Sequence, residues 1–249
     1  KDTIVMFTSD NGPAFFNPPF MLEAGESNFN ERFNAGLKGS KGWVYEGGIR
    51  VPMVIRYPAE LKQNVINQEL SHFTDWLPTL ASICGIEKIN DLPLDGYNII
   101  DQLKGDKLKR PPRRFWQWNF YYPSIATNAA IRDGKWKLVQ PMISGTRYYN
   151  NKDLHVAKED TFRTAALIEA DIKHKEDPKL ISSILEIPNI KYPPPEAPEL
   201  YNIDKDPEES FNVAEQYPIL VSKLTNELYK WFEEVEFSRK SIDDPLHNN

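Results

Sequence analysis

The sequence predicts an α/β domain followed by a smaller α+β domain, and three observations carry that expectation. The first is Ile4-Val5-Met6-Phe7, four consecutive apolar residues that run into Ser9-Asp10-Asn11-Gly12. An unbroken apolar run is the pattern of a parallel strand buried on both faces. The second is a charged break at 106–114 that carries Pro111-Pro112, the best domain boundary in the chain. The third is the change of pattern beyond it: a hairpin built on Asp133-Gly134, then an amphipathic helix near the C-terminus. The division expected is 1–107 and 108–249.

The elements follow in order. Residues 14–36 lack periodicity and are rich in Asn, Phe, Pro and Glu, which predicts a long loop of functional type. Residues 49–57 read as a strand with Pro52 near its start and Pro58 closing it. Residues 75–84 predict a helix: Phe73, Trp76, Leu77, Leu80, Ile83 and Cys84 share one face. Asp75 is its N-cap, which puts Pro78 in the first turn, and Gly85 is its stop. Cys84 is expected as a small buried hydrophobe. Residues 94–105 give a turn and a short helix. Arg113 and Arg114 read as a solvated linker.

Beyond the break, 114–122 is aromatic and strand-like, and Trp116, Trp118, Tyr121 and Tyr122 suit either a sheet core or a sugar platform. Residues 129–139 form the hairpin. An insertion spans about 141–197 and ends in the stiff run Tyr192-Pro-Pro-Pro195. A short strand at 199–203 and a turn at 204–208 lead to a helix over 217–236. Val221, Leu224, Leu228, Trp231, Phe232 and Val235 form its apolar face, and the last dozen residues should fray.

Composition sets limits on function. With 249 residues, 40% hydrophobic and 12% aromatic, the chain has material for a real core. A net charge of −6 gives no global attraction for nucleic acid or an anionic membrane. No apolar run approaches the roughly 18–20 residues of a membrane span. The one cysteine, Cys84, excludes an intramolecular disulfide and a multi-cysteine zinc site. The chain opens Lys1-Asp-Thr-Ile with neither Met nor signal peptide and enters a strand within three residues. A truncated or processed protein is the expectation.

The chemistry concentrates in two places. A strand ending in Asp10-Asn11 puts hard oxygen ligands at the carboxyl edge of a sheet, where open α/β folds place their sites. Lys41, between Gly39 and Gly42, supplies a cation for an anion. Together they suggest a metal-plus-lysine site for an oxyanion, with half of it missing. Each has a plainer reading: Asp10-Asn11-Gly12 as a tight turn, Lys41 as a solvated loop lysine. Glu46 and Arg50 read as an internal pair that holds the Glu-Gly-Gly loop. His72 precedes a helix and reads as structural, with substrate contact as its other role. His155 could line a cleft; His174 and His247 carry no signal.

Six stretches, in this order, resemble the C-terminal part of the type I (formylglycine-dependent) sulfatases, arylsulfatase-like members of the alkaline-phosphatase-like superfamily. They are F-T-S-D-N-G (7–12), L-K-G-S-K-G-W-V-Y-E-G-G-I-R-V-P (37–52), S-H-F-T-D-W-L-P-T-L (71–80), L-D-G (94–96), I-R-D-G-K-W-K-L (131–138) and E-L-Y-N-I-D-K-D-P-E-E (199–209). The resemblance implies that residues 1–107 complete the sulfatase α/β domain. It implies that 108–249 form an α+β subdomain whose antiparallel sheet packs on the C-terminal helix. Asp10 and Asn11 match a pair that helps coordinate calcium, a hard cation that takes oxygen ligands. Lys41 matches the lysine that binds the substrate's sulfate group and would stabilise charge on its oxygens in the transition state.

The family's nucleophile is a formylglycine made from a cysteine or serine in C-x-P/A-x-R. That motif is absent from this sequence, and Cys84 in S-I-C-G-I does not match it. The resemblance therefore implies hydrolysis of sulfate esters, on sulfated sugars or glycans, only with an N-terminal half. The chain alone is expected to be inactive and to bind calcium weakly. Family members are usually periplasmic or extracellular. Two other classes stay open: a phosphoric or phosphonic ester hydrolase of the same superfamily, and a non-catalytic sulfoglycan-binding module.

Overall fold

The computed structural model describes residues 2–13, 33–86, 94–106, 113–119, 123–143 and 194–241. Most of the loop expected at 14–36 and of the insertion at 141–197 lies outside them, as do Tyr121, Tyr122, His155, His174 and His247. The chain divides into two compact units. One comprises Lys1–Asp10 with Val51–Arg114; the other comprises Asn11–Arg50 with Phe115–Asn249.

In the first unit, β1 (Val5–Thr8) and β2 (Met53–Arg56) form an antiparallel ribbon with Val5 opposite Arg56 and Phe7 opposite Val54. The parallel, doubly buried strand expected at 4–7 is thus corrected. An apolar run reports a tendency to be buried and says nothing of direction. Among the described residues β1 pairs with β2 alone. Alternation along the ribbon puts Val5, Phe7 and Val54 on one face, where they are 53%, 68% and 62% exposed.

Helix α2 (Trp76–Ile83) follows a short 3₁₀ turn, Phe73–Asp75. Asp75 stands at the N-cap of α2 as expected, but its side chain makes no capping bond there, because the carboxylate is used elsewhere. Fully buried, its Oδ2 accepts the His72 N–H at 2.7 Å. Its Oδ1 accepts the Tyr97 N–H at 2.9 Å and Arg114 Nη2 at 2.5 Å. Arg114 is buried too, with its guanidinium 4.8 Å from the Tyr97 ring centre, so the solvated-linker reading fails for it. A buried carboxylate needs a cation, and this arginine supplies it. Cys84, the C-cap of α2, is exposed rather than buried, and so is much of the face expected to be apolar and inward: Phe73 and Leu77 are exposed, whereas Thr79 and Ala81 are the buried positions of α2. Helix α3 (Ile100–Lys104) ends at Gly105 in a left-handed turn.

The second unit is built on a four-stranded sheet: β3 (Arg114–Gln117), β4 (Ala129–Asp133), β5 (Trp136–Gln140) and β6 (Glu199–Asn202), in that order. The β4–β5 and β5–β6 pairs are antiparallel, and the expected hairpin is present, with Asp133 paired to Trp136 and the turn made by Gly134-Lys135, one residue later than expected. Residues alternate between two cores. Ala129, Ile131, Leu138 and Leu200 meet Leu224 and Leu228 of α4 (Pro218–Ser241) on one face. Phe115 stacks on Trp231 there, with ring centres 5.0 Å apart. Ala130, Val139, Tyr201 and Ile203 face the other way and pack on Val44 and Tyr45, with Trp116 alongside. The antiparallel sheet on a C-terminal helix is therefore present, and Trp116 packs half-buried against the second core. No described helix is long and apolar enough to cross a membrane.

Candidate functional site

The second core explains how the Lys41 loop is held. Val44 and Tyr45 are plugged into the sheet, and the single-turn helix α1 (Glu46–Ile49) follows them. Gly39 and Gly42 bracket Ser40-Lys41 at φ +84° and +82°, a left-handed backbone that glycine adopts without strain. Lys41 is exposed at the tip. Its N–H donates to the Pro13 carbonyl at 3.0 Å, and the Gly12 N–H donates to the Gly48 carbonyl at 2.9 Å. A Cβ on Gly12 would fall 1.8 Å from the Gly47 oxygen, so this approach of backbone to backbone requires glycine. The turn that carries Asn11 and the loop that carries Lys41 are thus bonded directly.

The other lysine of the motif, Lys38, meets the sheet. Lys38 Nζ donates to Tyr201 Oη at 2.8 Å and Glu199 Oε2 at 3.3 Å, and lies 4.2 Å from the Tyr45 ring centre. Tyr45 and Tyr201 also donate to Glu199 Oε2, at 2.6 and 2.8 Å. Burial, then the hydrogen bond to the Glu199 carboxylate, pushes both phenols above their ordinary range and keeps them as donors.

Behind α1 lies a buried charge cluster. Lys137 Nζ is 2.9 Å from Glu46 Oε1 and 2.9 Å from Glu209 Oε1, and all three are buried. Glu209 Oε2 also accepts the Glu46 N–H at 2.6 Å. Arg50 and Arg132 approach Glu46 Oε2 at 3.8 and 3.9 Å, so the expected Glu46–Arg50 pair exists within a larger network. Burial alone would raise Glu46, but Lys137, Arg132 and Arg50 together hold it below the usual carboxylate value. Burial dominates at Glu209 and leaves it raised, with Lys137 offsetting only part. Lys137, Glu209, Asn128 and Arg114 were not singled out from sequence as partners of anything. Lys137 had a usable signal: β5 alternation puts it on the same inward face as Val139, where a lysine needs an acid.

His72 belongs to the first unit. Its Nδ1 accepts the Thr74 N–H at 3.3 Å, which caps the 3₁₀ turn. Burial, then the nearby Arg114 cation, lowers its pKa, so the ring is neutral near pH 7.

Asp10 is exposed at the end of the first unit's ribbon, and Asn11 follows it in the chain. Asn11 Nδ2 donates to the Gly12 carbonyl at 2.9 Å, which orients the amide. Two hard oxygens fit calcium in kind, as part of the six to eight it prefers. Among the described residues no group of three or more His, Cys, Asp or Glu is placed to hold a metal.

Comparison with known proteins bears on this arrangement. The family model for N-sulphoglucosamine sulphohydrolase, C-terminal, matches residues 39–187. Human arylsulfatase A is 29% identical over 217 residues, covering 86% of this chain and 34% of its own length. The N-acetylgalactosamine-6-O-sulfatase of Bacteroides thetaiotaomicron is 26% identical, covering 90% of this chain and 35% of its own. A solved structure from the glycosaminoglycan metabolism of the same bacterium aligns with a TM-score of 0.54 at 23% identity, over 93% of this chain and 39% of that one. The chain thus spans about a third of the length of the curated relatives it matches. It belongs to the N-sulphoglucosamine sulphohydrolase C-terminal family and corresponds to the C-terminal portion of a sulfatase.

Proposed function

We propose that this chain supplies part of the active site of a sulfuric ester hydrolase that acts on sulfated sugars or glycans. The observation that carries the reading is the bonded pair of segments, Lys41 N–H to Pro13 and Gly12 N–H to Gly48. It ties a hard-oxygen turn to a loop that ends in a lysine. Lys41 is the residue proposed to bind the sulfate group and to act in catalysis as a fixed positive charge on its oxygens. Asp10 and Asn11 are the proposed calcium ligands from this chain. Calcium, when bound, would neutralise negative charge on the sulfate. His72 is proposed as a further substrate contact.

The remaining metal ligands and the formylglycine nucleophile are proposed to lie in an N-terminal half, so the chain alone should have no turnover. The apolar face of Val5, Phe7 and Val54 supports that part, since such a face is normally covered. Residues 1–107 are proposed as the end of the catalytic domain and 108–249 as its subdomain, in a periplasmic or extracellular enzyme. The name of the N-acetylgalactosamine-6-O-sulfatase relative favours a sugar substrate.

The test is release of inorganic sulfate from a sulfated monosaccharide by the full-length protein, with and without calcium chelation. Wild type should turn over, and Asp10→Ala should behave as chelated wild type does. Turnover of a phosphate ester with none of the sulfate ester would overturn the reading.

A further inference from the structure

We propose that Asn128 is a positioning residue for Lys41, setting the backbone that presents the lysine to an anionic ligand. This rests on the proposed role of Lys41 and adds the group that holds it. Asn128 is 1% exposed and lies just before β4. Its Nδ2 donates to the Gly42 carbonyl at 2.9 Å, the residue next to Lys41, and to the Trp118 carbonyl at 2.7 Å. Its Oδ1 accepts the Val44 N–H at 3.1 Å. One amide therefore grips the descending arm of the loop at two backbone groups, two residues apart, and fastens it to β3's continuation. The Asn128 backbone is used too: its carbonyl accepts the Trp118 N–H at 3.2 Å and its N–H donates to Pro141 at 3.3 Å.

The residue type is selected twice. Asn128 has φ +49°, a left-handed backbone that disfavours most side chains and that asparagine tolerates. The side chain must also donate twice and accept once, which an amide does and a carboxylate does not. Glycine meets the first demand alone, and aspartate meets the first while presenting an oxygen to the Gly42 carbonyl. Loops whose backbone polar groups are buried need such partners. Here the partner lies one residue from the side chain proposed to meet the ligand, so a small shift at Gly42 moves Lys41 directly.

The test uses the full-length protein with para-nitrophenyl sulfate as substrate and inorganic sulfate as competitive inhibitor. Lys41→Met should cost about 10²–10³-fold in kcat/KM, the scale of a lost transition-state charge contact. Asn128→Gly should raise both KM and the sulfate inhibition constant by about tenfold, the scale of one or two neutral hydrogen bonds. In the Lys41→Met background it should change them less than about twofold, because its effect passes through Lys41. Asn128→Asp should match or exceed the glycine variant and is the variant to read if the glycine variant does not fold. An unchanged sulfate inhibition constant in a folded Asn128 variant overturns the proposal. Equal effects of Asn128→Gly with and without Lys41 overturn it too. If Lys41→Met itself has no effect, the role of Lys41 falls first, and a shift caused by Asn128→Gly alone would contradict both.

Discussion

The two units of this chain are stabilised in different ways. In the first, the described residues rely on polar pins: Asp75 with Arg114, His72 and Tyr97, and Thr79 bridging the Asp75 carbonyl and the Ile99 N–H at 2.6 and 3.0 Å. Its β1–β2 ribbon leaves apolar side chains exposed. In the second, two apolar cores sandwich the sheet, and a charge cluster is sealed behind α1. Both units therefore hide charge, and only the second adds apolar cores to it. An apolar core loses stability by increments, whereas a buried charge in either unit is stranded when its partner is removed.

The largest effect expected is that of Lys137→Met in the second unit. It leaves Glu46 and Glu209 buried together with their principal cation gone. The expected loss is at least ~3–5 kcal/mol, the scale for one partner removed from a buried pair. Urea unfolding followed by tryptophan fluorescence would measure it, and a loss below ~1 kcal/mol would mean that the cluster is not what seals α1. Next comes Asp75→Asn in the first unit, which strands the Arg114 cation and should cost about 3 kcal/mol. Protease cleavage confined to 51–114 would show that this unit opens by itself. Leu228→Ala on α4 is expected at ~2–5 kcal/mol, graded by how far the core collapses around it.

A smaller effect concerns pH. Glu209 is raised above the carboxylate value of 4.5, so its contribution is fully present below 4.5 and is lost as pH rises through its own value. Glu46 is lowered, so its contribution is present above 4.5 and lost as pH falls through its own value. Glu209→Gln should therefore remove a decline in stability on the alkaline side of 4.5 while leaving the acid-side loss in place. Midpoints of urea unfolding across pH 4–8, for wild type and variant, would reveal a common slope if the assignment were wrong.

Much of this architecture was legible in the sequence, for identifiable reasons. The β4–β5 hairpin announces itself by Gly134, though one residue out of register, and α4 by Leu224 and Leu228 at helical spacing, because each depends on local geometry. Partnerships across long separations were not legible. Nothing in the vicinity of Arg114 reveals that its carboxylate is Asp75, 39 positions away. Nothing near Asn128 reveals that it binds Gly42 and Val44, 86 and 84 positions away. The pairing of β1 failed for a related reason, since an apolar run does not encode the direction of its neighbour. Of the residues proposed for the site, Lys41 and Asn11 lie on segments that the fold bonds together, while His72 stands in the polar pin of the first unit.

Whether Lys41 meets the sulfate group is decided by inhibition of para-nitrophenyl sulfate turnover by inorganic sulfate in full-length wild type and Lys41→Met. The account predicts that the variant's sulfate inhibition constant rises by at least about tenfold, the loss of one charge-assisted contact. An inhibition constant equal to that of wild type, in a folded variant, would contradict it.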